Sequence, residues 1–157
     1  QTDHKTVDDR LRDTLMNELL FERFVAWIYR EFSSELILSF VEFTQFKSVL
    51  PTKEYADQIE LYPGIPQSSI VYDTSIVSEK DRFARIAEAL YLKYVKRYCE
   101  LEINIPFQLR NRWDLMHINK YSIADIEALT AAVDAVIEEM LKYIRQSFIR
   151  FELGESY

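Results

Sequence analysis

The sequence predicts an all-helical domain, and three observations carry that prediction. Only two glycines occur in 157 residues, too few for the tight turns of a sheet-rich fold. Apolar residues recur at spacings of three and four through most of the chain, the period of a helix with one buried face. Serine followed three residues later by aspartate opens two of these runs, the pattern of a capping box. A length of 157 residues suits a single domain, residues 1–157, with a sizeable core. Apolar content of 48% and aromatic content of 14% exclude a disordered or fibrous chain.

Taken in order, residues 1–7 form a polar leader expected to fray. Leu11, Leu15 and Leu19 then mark a modest amphipathic helix or two short turns between Asp8 and Leu20. Phe21, Phe24, Val25, Ile28 and Phe32 share one face of a second helix that ends near Phe32. The break Phe32-Ser33-Ser34-Glu35 places Ser33 as N-cap and Glu35 in a first turn, where the helix dipole favours an anion. The following helix turns Ile37, Phe40, Val41 and Phe43 inward and runs to about Leu50, where Pro51 ends it. Residues 51–78 are expected to be a long connection with one helical piece, Glu54 to Leu61.

Ser78 and Asp81 predict the start of the next helix. Phe83, Ile86, Ala87, Leu90, Tyr91, Tyr94 and Tyr98 form its apolar face, and the run is expected to reach Glu102. The segment Glu102-Ile103-Asn104-Ile105-Pro106 reads as an extended hinge, because Ile105 precedes a proline. Pro106 then suits the first turn of a helix from Phe107 to about Asn119. Ser122 and Asp125 open a long last helix, whose inward face runs from Ile126 through Leu129, Val133, Val136, Ile137, Met140 and Ile144 to Phe151. Gly154 stands where a helix stop belongs.

Composition also excludes function classes. A net charge of −7 opposes general nucleic-acid binding, which requires a basic surface. The single cysteine, Cys99, precludes an internal disulfide framework and is expected to be a buried, inert thiol in a reducing, intracellular setting. No apolar run reaches the about 18 residues of a membrane span, so no direct membrane insertion is expected. The chain opens on Gln1 without a signal-peptide pattern, as expected of a domain cut from a longer protein.

His4 and His117 lack a second ligand at metal spacing, and His117 reads as structural. The adjacent acids Asp8-Asp9 and Glu138-Glu139 point to different helix faces and do not form a dyad. Tyr94 and Tyr98 beside Lys93, Lys96 and Arg97 read as a core face with a solvated basic face, not a base-stacking surface. No nucleophile, base or metal cluster converges, so no active site, cofactor or metal is expected in the chain itself.

The residues around the break resemble a known family. FERFVAWIYREFSSELILSF is similar to the regulator of G-protein signalling (RGS) domain, in which a Phe-rich helix ends in an aromatic-Ser-x-Glu-Asn turn. Glu102-Ile103-Asn104-Ile105 is similar to that family's Glu-x-Asn-(Ile/Leu) hinge, and SFIRFEL to the pattern of its last helix. In this order the motifs cover most of Leu11 to Leu153. The resemblance implies a two-lobed bundle of about nine helices. It also implies a GTPase-activating protein for the activated α subunit (Gα) of heterotrimeric G proteins, acting in the cytoplasm and recruited to the inner face of the plasma membrane by partners or other segments. The alternative within the same fold is an interaction scaffold without GTPase-activating activity, with Leu36 in an apolar binding patch.

Carried over position by position, the resemblance makes Phe32, Ser33, Glu35 and Leu36 the partner-facing turn. Asn104 becomes the hinge residue that reaches the Gα active site, Arg110 a basic residue one turn beyond, and Gln146 and Arg150 the contacts of the last helix. The chain departs from the family pattern at three places. Leu36 stands where the family has asparagine, Gln146 where it has aspartate, and Pro106 where it has an acid after the hinge.

Overall fold

The computed structural model describes residues 4–31, 34–51, 60–66, 79–121 and 126–155. Within them lie six α-helices and no strand: α1 (Val7–Met16), α2 (Glu18–Glu31), α3 (Glu35–Val49), α4 (Glu79–Leu90), α5 (Phe107–Ile118) and α6 (Ile126–Glu155). The all-helical class read from the sequence is the observed one. Among the described residues no helix is long and apolar enough to cross a membrane.

The spine is α6, whose 30 residues span about 45 Å at the usual rise. Its buried face, from Leu129 through Val133, Val136, Met140 and Ile144 to Phe148 and Phe151, follows the periodicity in the sequence. Phe40 and Phe43 of α3, Phe24 and Ile28 of α2 and Trp113 of α5 are fully buried in the same core. Phe24 meets Phe148 edge-on with ring centroids 5.4 Å apart, and Phe43 meets Trp113 at 5.6 Å and 89°. Such edge-to-face pairs stabilise beyond the area they bury. Trp27 touches Phe151 while Glu31 reaches Ser147 and Arg150, so α2 lies against the C-terminal part of α6.

Four expectations change. Lys5 and Thr6 are tied to α1 rather than frayed. Thr6 Oγ1 accepts from the Asp9 N–H at 3.1 Å, Asp9 accepts from the Thr6 N–H at 3.2 Å, and Lys5 Nζ reaches Asp13 at 2.7 Å. This Thr-x-x-Asp box is the same signal that was read at later helices. Ser34 holds the N-cap position of α3, with helical backbone and no side-chain capping bond; Ser33 lies outside the described residues, as do the capping residues Ser78, Ser122 and Asp125 and the stretch 52–59.

Third, the helix of the tyrosine face stops at Val95 instead of Glu102, through a wider π-helical turn at Tyr91–Val95. Tyr98 is 95% exposed and Cys99 lies in the turn rather than in a helix. Finally, Gly154 does not stop α6, which continues to Glu155. A Cβ there would sit 2.7 Å from the Trp27 ring, so the glycine permits close approach of α2 and α6.

The hinge after the π-helical turn is fixed from both sides. The Lys96 N–H donates to the Tyr91 carbonyl at 2.8 Å and the Ile103 N–H to the Tyr94 carbonyl at 2.9 Å. From α5, the Arg110 guanidinium donates to the carbonyls of Val95 and Ile103, the latter at 2.7 Å. Glu102 lies 3.4 Å from the same guanidinium and balances its charge. Removing the fork strands two buried carbonyls, at about 1–3 kcal/mol each. Arg110→Met is therefore expected to lower the unfolding free energy in a urea titration by about 2–6 kcal/mol. Arg110→Lys should recover little, since one ammonium cannot span both acceptors; a loss below about 0.5 kcal/mol would contradict the role assigned to the fork.

Candidate functional site

Extended backbone sends alternate side chains to opposite sides. In the hinge, Ile103 and Ile105 are buried and Asn104 between them is exposed. Asn104 Nδ2 donates to the Tyr143 hydroxyl of α6 at 3.0 Å. Tyr143, Ser147 and Arg150 follow at steps of four and three, which places them along one face of that helix.

At the far end of this strip Arg150 grips the last residue of α2 with both arms of its guanidinium. Nε lies 2.7 Å from Glu31 Oε2 and Nη2 lies 3.1 Å from Oε1. The Ser147 hydroxyl donates to the same Glu31 Oε1 at 2.6 Å. The Arg150 guanidinium, and then the Ser147 hydroxyl, hold the Glu31 carboxyl below its ordinary range against the opposing effect of partial burial. Glu31 in turn raises Arg150. Since Glu31 immediately precedes the break at residues 32–34, one strip of α6 joins the hinge to the α2–α3 corner.

Of the expected partner-facing residues, Asn104, Gln146 and Arg150 are exposed, and Glu35 is half-buried in the first turn of α3. Phe32 and Ser33 lie outside the described residues. Two positions are corrected. Leu36 is 6% exposed and belongs to the core with Ile37 and Phe40, because the inward face of α3 begins at its second residue. Arg110 is 7% exposed, its guanidinium committed to the hinge carbonyls. Neither side chain offers a surface to a partner, and no apolar patch is built on Leu36.

Tyr143, Ser147 and Glu31 were not singled out in the sequence. The seven-residue step from Tyr143 to Arg150 was a readable signal for the first. Nothing local marked Glu31, whose partner lies 119 residues away.

Other polar clusters are structural in geometry. Glu42 is buried, accepting from Lys93 Nζ at 2.6 Å and the Tyr94 hydroxyl at 3.0 Å. His117 lies 2.7 Å from Glu88 and stacks on Tyr91 at 4.6 Å and 18°. Burial, with Asp114 beside the hydroxyl, pushes Tyr91 up to about 12. Burial, followed by the nearby Glu102, also raises the half-buried Cys99 thiol, opposite to what a nucleophile needs.

A groove of about 930 Å³ lies between α1, α3, α6 and the segment 60–65, and two ion pairs cross it. Lys47 meets Asp134 and Arg145 meets Asp8, each at 2.7 Å. Among the described residues no group of His, Cys, Asp and Glu is arranged to hold a metal ion. The geometry thus defines an all-helical domain with a polar, ion-paired strip. No family model, curated protein or solved structure matches the chain.

The Glu31–Arg150 pair makes a pH prediction. A carboxyl whose folded-state pKa is depressed contributes stability above its unfolded value, here the ordinary 4.5. That contribution is lost as pH falls through the lower folded value. In a carboxyl-carbon NMR titration Glu31 should show its midpoint below 4.5, and Arg150→Ala should move it upward. A midpoint in the parent that Arg150→Ala leaves unchanged would contradict the pairing.

Proposed function

We propose that this chain is an RGS-type domain that binds activated Gα and accelerates its GTP hydrolysis. The observation that supports the reading is the convergence of Asn104, Gln146 and Arg150 on one strip of α6, anchored by Glu31 at the α2–α3 corner. These are the loci that the sequence resemblance assigned to one partner surface. The proposal includes the two-lobed, roughly nine-helix arrangement of that family and action at the cytoplasmic side of the plasma membrane, where partners bring the domain to Gα.

Such a domain supplies no catalytic arginine. It stabilises the partner's switch segments in their transition-state shape, so that the donors around the attacking water are already in place. Asn104 suits this role. Its amide nitrogen is held by Tyr143, while its carbonyl oxygen accepts no bond among the described residues. The tether reduces the side-chain entropy lost when the amide meets a partner group.

The burial of Leu36 favours a second reading, an interaction scaffold without GTPase-activating activity. An outward asparagine at that position would offer an amide to a switch loop, and an inward leucine does not. Capture by Gα loaded with GDP, a GTP analogue, or GDP with aluminium fluoride separates these readings when combined with single-turnover hydrolysis.

The leading reading requires selective capture in the aluminium fluoride state and faster hydrolysis. Asn104→Ala should then reduce the stimulation about tenfold or more, as when a buried polar contact is lost, with the helical circular dichroism spectrum unchanged. Capture without acceleration would support the scaffold. Failure of capture in every state would exclude the leading reading and favour a scaffold for another protein.

A further inference from the structure

Helix α5 carries apolar side chains on both sides. Leu109 and Trp113 point into the core, while Phe107, Leu115 and Ile118 are 61%, 58% and 69% exposed. With Asn111, these three follow at steps of four, four and three and form one outward stripe about 16 Å long. At its N-terminal end the Arg97 guanidinium lies over the Phe107 ring, 5.6 Å from the centroid.

Next to Arg97, Tyr98 stands almost wholly in solvent with φ +66°, a backbone region that a non-glycine residue occupies at a cost. The Tyr98 N–H donates to Glu102 at 3.0 Å, and Glu102 is itself held by Arg110. The backbone that carries the protruding aromatic is therefore held in place. Exposed large apolar residues grouped on one helix face mark interaction surfaces.

Charge identifies what fits the stripe. Lys96, Arg97, Arg112 and Lys120 are all exposed, and among the described residues no ion pair engages Arg97, Arg112 or Lys120. Of the three acids between residues 96 and 121, Asp114 accepts from Tyr91 and Glu102 is taken by Arg110 and Tyr98. Glu100 remains as an exposed carboxylate against four exposed cations. This is a basic and apolar surface on a chain of net charge −7.

Two copies placed stripe to stripe would oppose like charges, which argues against self-association here. An anionic bilayer would also face the acids outside the patch. A single helix touches only the patch, within a screening length of about 8 Å.

We propose that the outward stripe of α5 is a docking surface for an acidic amphipathic helix of a partner protein. Apolar residues of that helix cover Phe107, Leu115 and Ile118, and its carboxylates meet Arg97, Arg112 and Lys120. The surface is on a different helix from the α6 strip, and the inference does not depend on the proposed action on Gα.

The test uses the full chain and two fluorescent synthetic helices of about 18 residues. Both carry leucines at steps of four, four and three; one is flanked by glutamates and the other by lysines. The glutamate helix is expected to bind about tenfold or more tightly than the lysine helix, and to weaken as salt rises. Leu115→Gln/Ile118→Gln should reduce its affinity about tenfold or more while the circular dichroism spectrum is retained. Arg112→Glu/Lys120→Glu should narrow or reverse the preference between the two helices.

Equal binding of the two helices, no binding of the glutamate helix, or unchanged binding by Leu115→Gln/Ile118→Gln would overturn the proposal. It would also be overturned if that variant abolished either cosedimentation of the parent chain with phosphatidylserine vesicles or a dimer of the parent in analytical ultracentrifugation. The first outcome would assign the stripe to lipid and the second to self-association.

Discussion

The Arg110 guanidinium is the contact on which the rest of the arrangement depends. A buried cation loses several kcal/mol of hydration unless its donors are matched. Here two of them meet the carbonyls of Val95 and Ile103 while Glu102 supplies the counter-charge. One of those carbonyls belongs to the end of the π-helical turn and the other to the hinge. The same side chain therefore sets where the turn stops, how the hinge leaves it, and where α5 begins. Asn104 reaches Tyr143, and Phe107 and Tyr98 face outward, because their backbone is pinned between these points.

A second organising element is α6, which acts as a ruler along which distant segments are placed. Its inward face packs α2, α3 and α5 into one core, and the polar strip beside that face, with Ser147 buried at its middle, meets Asn104 at one end and Glu31 at the other. Both polar contacts to the strip come from segments tens of residues away in sequence. The strip exists only once the core has set the helices against one another. Within that core the buried charge of Glu42 is compensated by Lys93 and Tyr94, which ties α3 to the π-helical turn and thus to the hinge.

Much of this was legible in sequence where the signal was local. The three-and-four spacing located α2, α3 and α6, and Ile105-Pro106 marked the hinge and the start of α5 because the proline restricts its neighbour and suits a first helical turn. The misreadings have non-local causes. Tyr98 continues the spacing of Tyr91 and Tyr94, yet it leaves the helix because the turn widens and the backbone is captured by Arg110. Gly154 resembles a stop, but its lack of a side chain serves Trp27, far earlier in the chain. Leu36 and Arg110 occupy positions that the family resemblance assigned to a surface, and packing turned both inward. The outward stripe of α5 escaped notice because apolar residues on both faces erase the periodicity that identifies a buried one.

The proposed function requires that the hinge, the corner after α2 and the end of α6 act as one surface toward activated Gα. Backbone amide NMR of the labelled chain, titrated with Gα bound to GDP and aluminium fluoride, tests that directly. The account predicts that Glu31, Glu35, Asn104, Tyr143, Gln146 and Arg150 shift or broaden together, at the same Gα concentration. Shifts confined to other parts of the molecule, with these six unchanged at saturation, would contradict it.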